Sequence, residues 1–107
     1  MDLRQLQKAL AAFAVLSPTH FYVHFAEVFL CVATSEKGSC TFREIENALN
    51  LSNSGVSRTV NALSDVNRRG QDGFDLLEMV PDPAEGRRFI VRLTQKGEAF
   101  KRQLDLA

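Results

Sequence analysis

Surplus charge, cysteine, histidine and long apolar runs are all scarce in this sequence, and each shortage closes off a class of function. Thirteen Lys and Arg balance thirteen Asp and Glu in 107 residues, so the formal net charge is zero. The broad basic surface that most simply signals a nucleic-acid partner is therefore missing, and any such partner has to be held by local charge. Cys31 and Cys40 are the only cysteines. They could in principle pair, but in a chain without an export signal they read better as reduced, structural thiols. No stretch approaches the roughly 18 apolar residues of a membrane span. The opening "MDLRQLQKAL" also lacks the apolar centre of a signal peptide, so a cytoplasmic protein with no membrane partner is expected. The two histidines, His20 and His24, sit in one segment. With no nucleophile-base-orienter set, no glycine-rich phosphate loop and no paired-carboxylate motif, neither an enzyme nor a bound cofactor is expected.

What is present is an ordinary globular composition, 45% hydrophobic and 24% charged, in a chain of single-domain length. Residues 1–107 are accordingly read as one domain. Leu3, Leu6, Leu10 and Phe13 recur at helical intervals among Arg4, Gln5, Gln7 and Lys8, which predicts an amphipathic helix of roughly four turns. Ser17 and Pro18 end it and open the next, "THFYVHFAEVFLCVATS", apolar on most sides and so expected to be buried. After the loop "EKGS", Thr41 and Glu44 are spaced as a capping box for a short third helix with Phe42, Ile45 and Leu49 inward. Ser52 then caps a fourth helix over residues 52–66, with Val56, Val60 and Leu63 on its inner side.

Beyond the turn-rich "NRRGQDG", the segments "FDLLEMV" and "RRFIVRL" read as two strands joined by a long tip, "PDPAEG". In the second strand Phe89, Val91 and Leu93 should point inward, with Arg88, Ile90 and Arg92 outward. Thr94 caps a last helix containing Ala99, Phe100, Leu104 and Leu106. The fold class is thus mainly α with a two-stranded β-hairpin. The order α-α-α-α-β-β-α is that of a winged helix-turn-helix, whose second motif helix enters a DNA major groove.

The stretch "NLSNSGVSRTVNALSD" fits that role. With its valines inward, the fourth helix leaves Asn53, Ser54, Ser57, Arg58, Asn61 and Asp65 available outside. Small residues at its start, Ser52, Ser54 and Gly55, suit close approach to a phosphate at a helix N-terminus. Arg58 is placed to reach guanine and Asn61 adenine, each pairing worth about 1–3 kcal/mol of discrimination. Serine and asparagine are also common on any solvated helix face. The hairpin 75–93 weighs against that bland reading, because it brings Arg87, Arg88 and Arg92 near the backbone or minor groove beside the helix.

"ALNLSNSGVSRTVNAL" followed by "PDPAEGRRFIVRLTQKGEAF" resembles the MarR (multiple antibiotic resistance regulator) type of winged-helix regulator. Asp82, Arg87, Leu93, Thr94 and Gly97 stand at positions of that family's wing pattern, and Glu85 replaces its usual second aspartate. Over roughly residues 20 to 100 the resemblance implies a cytoplasmic, homodimeric, sequence-specific binder of double-stranded DNA. It makes Ser52 to Asn61 the groove-reading helix and Arg87 the wing arginine, oriented by Asp82 or Glu85. Two departures stand out. The segment "SDVNRRGQDG" is longer than the pattern, so Arg68 and Arg69 are candidates for added phosphate contacts. The chain also ends at Ala107 without the family's long C-terminal helices, so residues 1–16 and 94–107 are the candidate dimerisation helices.

Two further constellations are present. His20, His24, Glu27 and Cys31 form one helical stripe. A tetrahedral metal site needs ligands from a second element and none matches, so a packing or subunit face is the simpler explanation and no metal is assigned. A redox role for Cys31 or Cys40 would need a lowered thiol pKa, for which Lys37 near Cys40 is the only support. The alternative to a DNA regulator is a winged-helix protein-interaction module that binds no DNA. Zero net charge, a lone cation on the fourth helix and an exposed Ile90 motivate it.

Overall fold

The computed structural model describes residues 2–16, 22–64 and 73–105. Five helices and three strands follow in the order α1 (Leu3–Leu16), α2 (Val23–Ala33), β1 (Ser39–Thr41), α3 (Phe42–Leu49), α4 (Asn53–Leu63), β2 (Leu77–Asp82), β3 (Glu85–Leu93) and α5 (Gln95–Asp105). The Ser17–Pro18 boundary lies outside the described residues, and within them α2 starts after Tyr22, which makes no side-chain cap.

The expected two-stranded hairpin is part of a three-stranded antiparallel sheet in the order β1-β3-β2. Strand β1 was missed because three residues are too few to show alternation. It pairs Ser39 with Arg92, Cys40 with Val91 and Thr41 with Ile90. The hairpin tip is also shorter than expected. Pro81 and Asp82 continue β2, Glu85 and Gly86 begin β3, and the turn is reduced to Pro83 and Ala84. Pro81 is tolerated because β2 is an edge strand. Between the pairs Pro81–Phe89 and Asp82–Glu85 the register shifts, so Gly86, Arg87 and Arg88 bulge from β3 without opposite partners.

Side-chain chemistry sets the helix-turn-helix. Thr41 Oγ1 accepts from the Glu44 amide and the Glu44 carboxylate accepts from the Thr41 amide, the reciprocal capping box expected for α3. Asn50 ends α3 in the left-handed region (φ 54°), where asparagine is tolerated. Its own amide and that of Leu51 bond to the Glu46 carbonyl. Ser52 then accepts from the Gly55 amide and starts α4 after the shortest of turns.

Val28, Phe29, Ile45, Val56, Val60, Leu63, Leu76, Leu77 and Val91 have no solvent exposure and form the centre. Helix α2 supplies Ala26, Val28, Phe29, Val32 and Ala33, as its apolar sequence required. Phe13, Phe29 and Phe100 meet edge-on at centroid distances of 5.0 to 5.9 Å, joining α1, α2 and α5. The C-terminal carbonyls of α4, which no helical amide can reach, are taken up by the residues that lead into β2. Phe74, Asp75 and Leu76 amides donate to Ala62, Ser64 and Leu63 respectively. Thr94 completes the joint, its hydroxyl donating to the Asp75 carbonyl at 2.6 Å and accepting from the Gly97 amide at 2.9 Å. A Cβ on Gly97 would run into the Leu76 carbonyl, so only glycine lets α5 sit this close to the sheet.

Two strand expectations change. Val91 and Leu93 are buried, but Phe89, on the same side of the alternation, is 56% exposed. β1 pairs with β3 only from Ile90 onward, so no strand flanks Phe89 on that edge. Ile90, expected outside, is half-buried between Thr41 and Val80.

Candidate nucleic-acid interface

Helix α4 has two chemically separate sides. At 100° per residue, Val56, Thr59, Val60 and Leu63 share one side, and all four are buried. Thr59 was not expected inside. Its hydroxyl donates to the Gly55 carbonyl at 2.9 Å, which satisfies the only polar atom it brings there. Ser54, Ser57, Arg58 and Asn61 fall on the opposite side, with Ser54 and Arg58 exposed and Ser57 and Asn61 half-buried.

These outer groups are not equally free. Ser52 Oγ is occupied as the cap and lies 3.2 Å from Ser54 Oγ. Asn53 does not point outward alone, because its amide nitrogen donates to Glu46 of α3 at 3.2 Å. Asn61 donates from its amide nitrogen to the Ser57 carbonyl at 2.7 Å, which uses one of its two N–H groups and fixes the orientation of the amide. Arg58 has no ion-pair partner among the described residues and borders a cleft of about 400 Å³ with Tyr22, His24 and Phe25 from the start of α2.

On the wing, the carboxylates expected to orient Arg87 hold Arg88 instead. Arg88 Nε donates to Asp82 Oδ2 at 2.6 Å, and Arg88 Nη1 lies 3.6 Å from Glu85 Oε2. Asp82 also accepts from the Ala84 amide at 2.9 Å, so one buried carboxylate fixes both the turn and the bulge. The Arg88 guanidinium, with that amide, holds the Asp82 carboxyl below the usual carboxylate range. Arg92 is tied across the sheet to Glu78 at 2.8 Å. Arg87 is exposed and has no ion-pair partner among the described residues.

The structure adds Arg43 to these. It is exposed in the first turn of α3 and also lacks an ion-pair partner among the described residues. Its position one residue after Phe42, off the Phe42–Ile45–Leu49 side, was the available signal. Arg43, Glu46, Asn53, Arg88 and Phe89 line an open cleft of about 460 Å³ that brings α3, the start of α4 and the wing together. Paired acids thus cancel Arg88, Arg92 and Lys37, while Arg43, Arg58 and Arg87 stay uncancelled. A chain of zero net charge can carry local positive charge in this way.

Solved structures with this architecture are transcriptional regulators. A mutant MarR from E. coli complexed with operator DNA matches with a TM-score of 0.64 at 21% identity, over 96% of this chain and 67% of that one. The chain has the MarR-type winged-helix fold. PcaV from Streptomyces coelicolor, in complex with its natural ligand, gives 0.62 at 26% identity over 97% and 67%. A mutant MepR from S. aureus gives 0.67 at 18% identity over 96% and 67%. No protein-family model and no curated protein matches the sequence. Against the MarR-type neighbours, this chain spans about two thirds of their length.

The other constellations resolve into local pairs. His24 Nδ1 is 3.2 Å from Glu27 Oε1, and His20 lies outside the described residues, as do Asp65, Arg68 and Arg69. The Cys40 thiol points at the Cys31 carbonyl at 3.7 Å. Burial, then the neighbouring Cys40, pushes the Cys31 thiol up to about 11, opposite to the shift a reactive thiolate needs. Among the described residues no helix is long and apolar enough to cross a membrane.

Proposed function

We propose that this protein is a sequence-specific, double-stranded-DNA-binding transcriptional regulator acting in the cytoplasm, without enzymatic activity. The carrying observation is the outer side of α4. It offers Ser54, Ser57, Arg58 and Asn61 while every apolar residue opposite is used by the core, and an uncancelled Arg87 stands on the wing next to it. In this account α4 lies in the major groove. Its first turn, with Ser52, Asn53 and Ser54, approaches the backbone, and Arg58 and Asn61 read bases. Arg87 contacts the adjacent groove or phosphates, and Arg88 holds the bulge that projects it. The fold shared with a MarR complexed with operator DNA supports this reading, although fold alone never fixes function.

The whole chain acts as one winged-helix domain that pairs with a second copy through residues 1–16 and 94–107. Helix α1 buries only Phe13 and leaves Leu3, Leu6, Leu10 and Val15 in solvent. Two-fold pairing would set half-sites about one helical turn apart.

The experiment is a fluorescence-anisotropy titration of wild type and Arg87→Ala against duplex from upstream of the protein's own gene, with scrambled duplex as competitor. Wild type should bind with strong salt dependence and resist the competitor. Arg87→Ala should weaken binding to every sequence and reduce the salt slope by about 1. Failure of wild type to bind either duplex at low salt would leave the protein-interaction module as the better account.

A further inference from the structure

Cys31 and Cys40 take no part in the interface described above, yet the fold brings their thiols together from two elements. Cys31 lies half-buried near the end of α2, and Cys40 is buried at the middle of β1, where it pairs with Val91. The Cys40 thiol reaches the Cys31 carbonyl at 3.7 Å and also stands within hydrogen-bond reach of the Cys31 thiol. Both cysteines are free. Two sulfurs this close repel each other once ionised, and Glu44 adds to the negative field around them. A cation seated between them removes that repulsion.

Which cation suits the pair follows from ligand count and charge. Thiolates select soft metals. A structural zinc takes four ligands, and among the described residues no group of three or more His, Cys, Asp and Glu could hold an ion. The pair therefore suits an ion satisfied by two sulfurs. A monovalent ion such as copper(I) leaves two thiolates with a net negative charge, which is costly in a partly buried place that feels Glu44. A divalent ion leaves them neutral.

We infer that Cys31 and Cys40 form a two-coordinate thiolate site for a soft divalent ion of the mercuric class. On binding, each thiol releases one proton to solvent and two sulfur–metal bonds form. No electron is transferred, so no oxidant is needed. Half-buried Cys31 is the point of entry, and Cys40 closes the chelate from the sheet. The site does not depend on the DNA-binding reading. It lies at a joint of the fold, because Cys40 pairs with β3 and precedes Thr41, whose side chain caps α3. An ion held there ties α2 to the sheet at that joint.

The test is native mass spectrometry of the reduced protein with one equivalent of mercuric chloride and excess glutathione as competing monothiol. Wild type is compared with Cys31→Ser and Cys40→Ser, and Cys40→Ala replaces the latter if a hydroxyl loosens the core. Wild type should keep one ion per chain. Each single variant should hold it about 100-fold less tightly or worse, because a second sulfur fixed in place acts at high effective concentration. Loaded wild type should unfold at a higher temperature than the metal-free protein. Cys31→Ser should unfold at the same temperature with and without the ion, and the ¹⁹⁹Hg resonance of the wild-type complex should report two sulfur ligands. Retention of the ion by either single variant as firmly as by wild type, one ion on each sulfur, or zinc held as tightly as mercury would overturn the site.

Discussion

Helices α1 and α4 are both amphipathic, yet they meet opposite fates. In α4 each apolar position finds its partner within the same chain, and Val56, Val60 and Leu63 have no exposure at all. In α1 the pattern is as regular, but Leu3 is 77% exposed, Leu6 38% and Leu10 55%, and Phe13 alone is buried. An apolar stripe therefore says that a surface is to be covered without saying by what. For α4 the cover is internal, so its function has to lie on the polar side. For α1 the stripe itself is the unsatisfied surface.

The sharpest way to break this contrast is to truncate one leucine on each helix. Leu63→Ala should cost about 2–5 kcal/mol in urea unfolding, because the cavity it leaves is enclosed on all sides. Leu6→Ala, at concentrations where the chain is monomeric, should stay within about 0.5 kcal/mol. Equal losses would mean that α1 is held by the domain as firmly as α4.

Next in size is Gly97→Ala, where the added methyl meets the Leu76 carbonyl. Overpacking of this kind costs about 1–3 kcal/mol, visible as a lower unfolding temperature. A neutral result would show that α5 can slide away from the sheet and that the joint at Thr94 is loose.

Capping substitutions should cost less. Thr41→Ala and Ser52→Ala each remove one side-chain acceptor from a helix start, worth about 1 kcal/mol by chemical denaturation. The two should be of similar size, since the Thr41 backbone amide that donates to Glu44 remains in Thr41→Ala.

The smallest effect concerns pH and the wing. The folded Asp82 carboxyl is lowered mainly by Arg88, so the stabilisation is fully present above the ordinary carboxylate pKa. It is lost as pH falls through the lowered folded value. Below about pH 4 the amides of the turn and bulge should lose protection relative to their intrinsic exchange rates, while those of α4 keep theirs. In Arg88→Ala the wing should exchange fast already at neutral pH, and acid should add little.

Much of this architecture is legible in the residues, for identifiable reasons. Both helix caps at Thr41 and Ser52 follow from short-range side-chain chemistry, and the inner side of α4 follows from a periodicity sustained over its length. Non-local pairing is what sequence hides. Strand β1 exists only because β3 runs past it, and Phe89 lies in solvent because that pairing stops at Thr41. The choice of Arg88 over Arg87 by Asp82 depends on a three-residue bulge that alternation cannot foresee. The placement of Arg43 is hidden because it lies far in sequence from the wing that makes it part of a cleft.

The most direct test of the central claim is a titration of ¹⁵N-labelled protein with duplex from upstream of its own gene, followed amide by amide. The account predicts shifts concentrated in Ser52 to Asn61, at the hairpin tip from Glu85 to Phe89, and at Arg43, with α2 silent. Shifts confined to α1, or none at all, would contradict it.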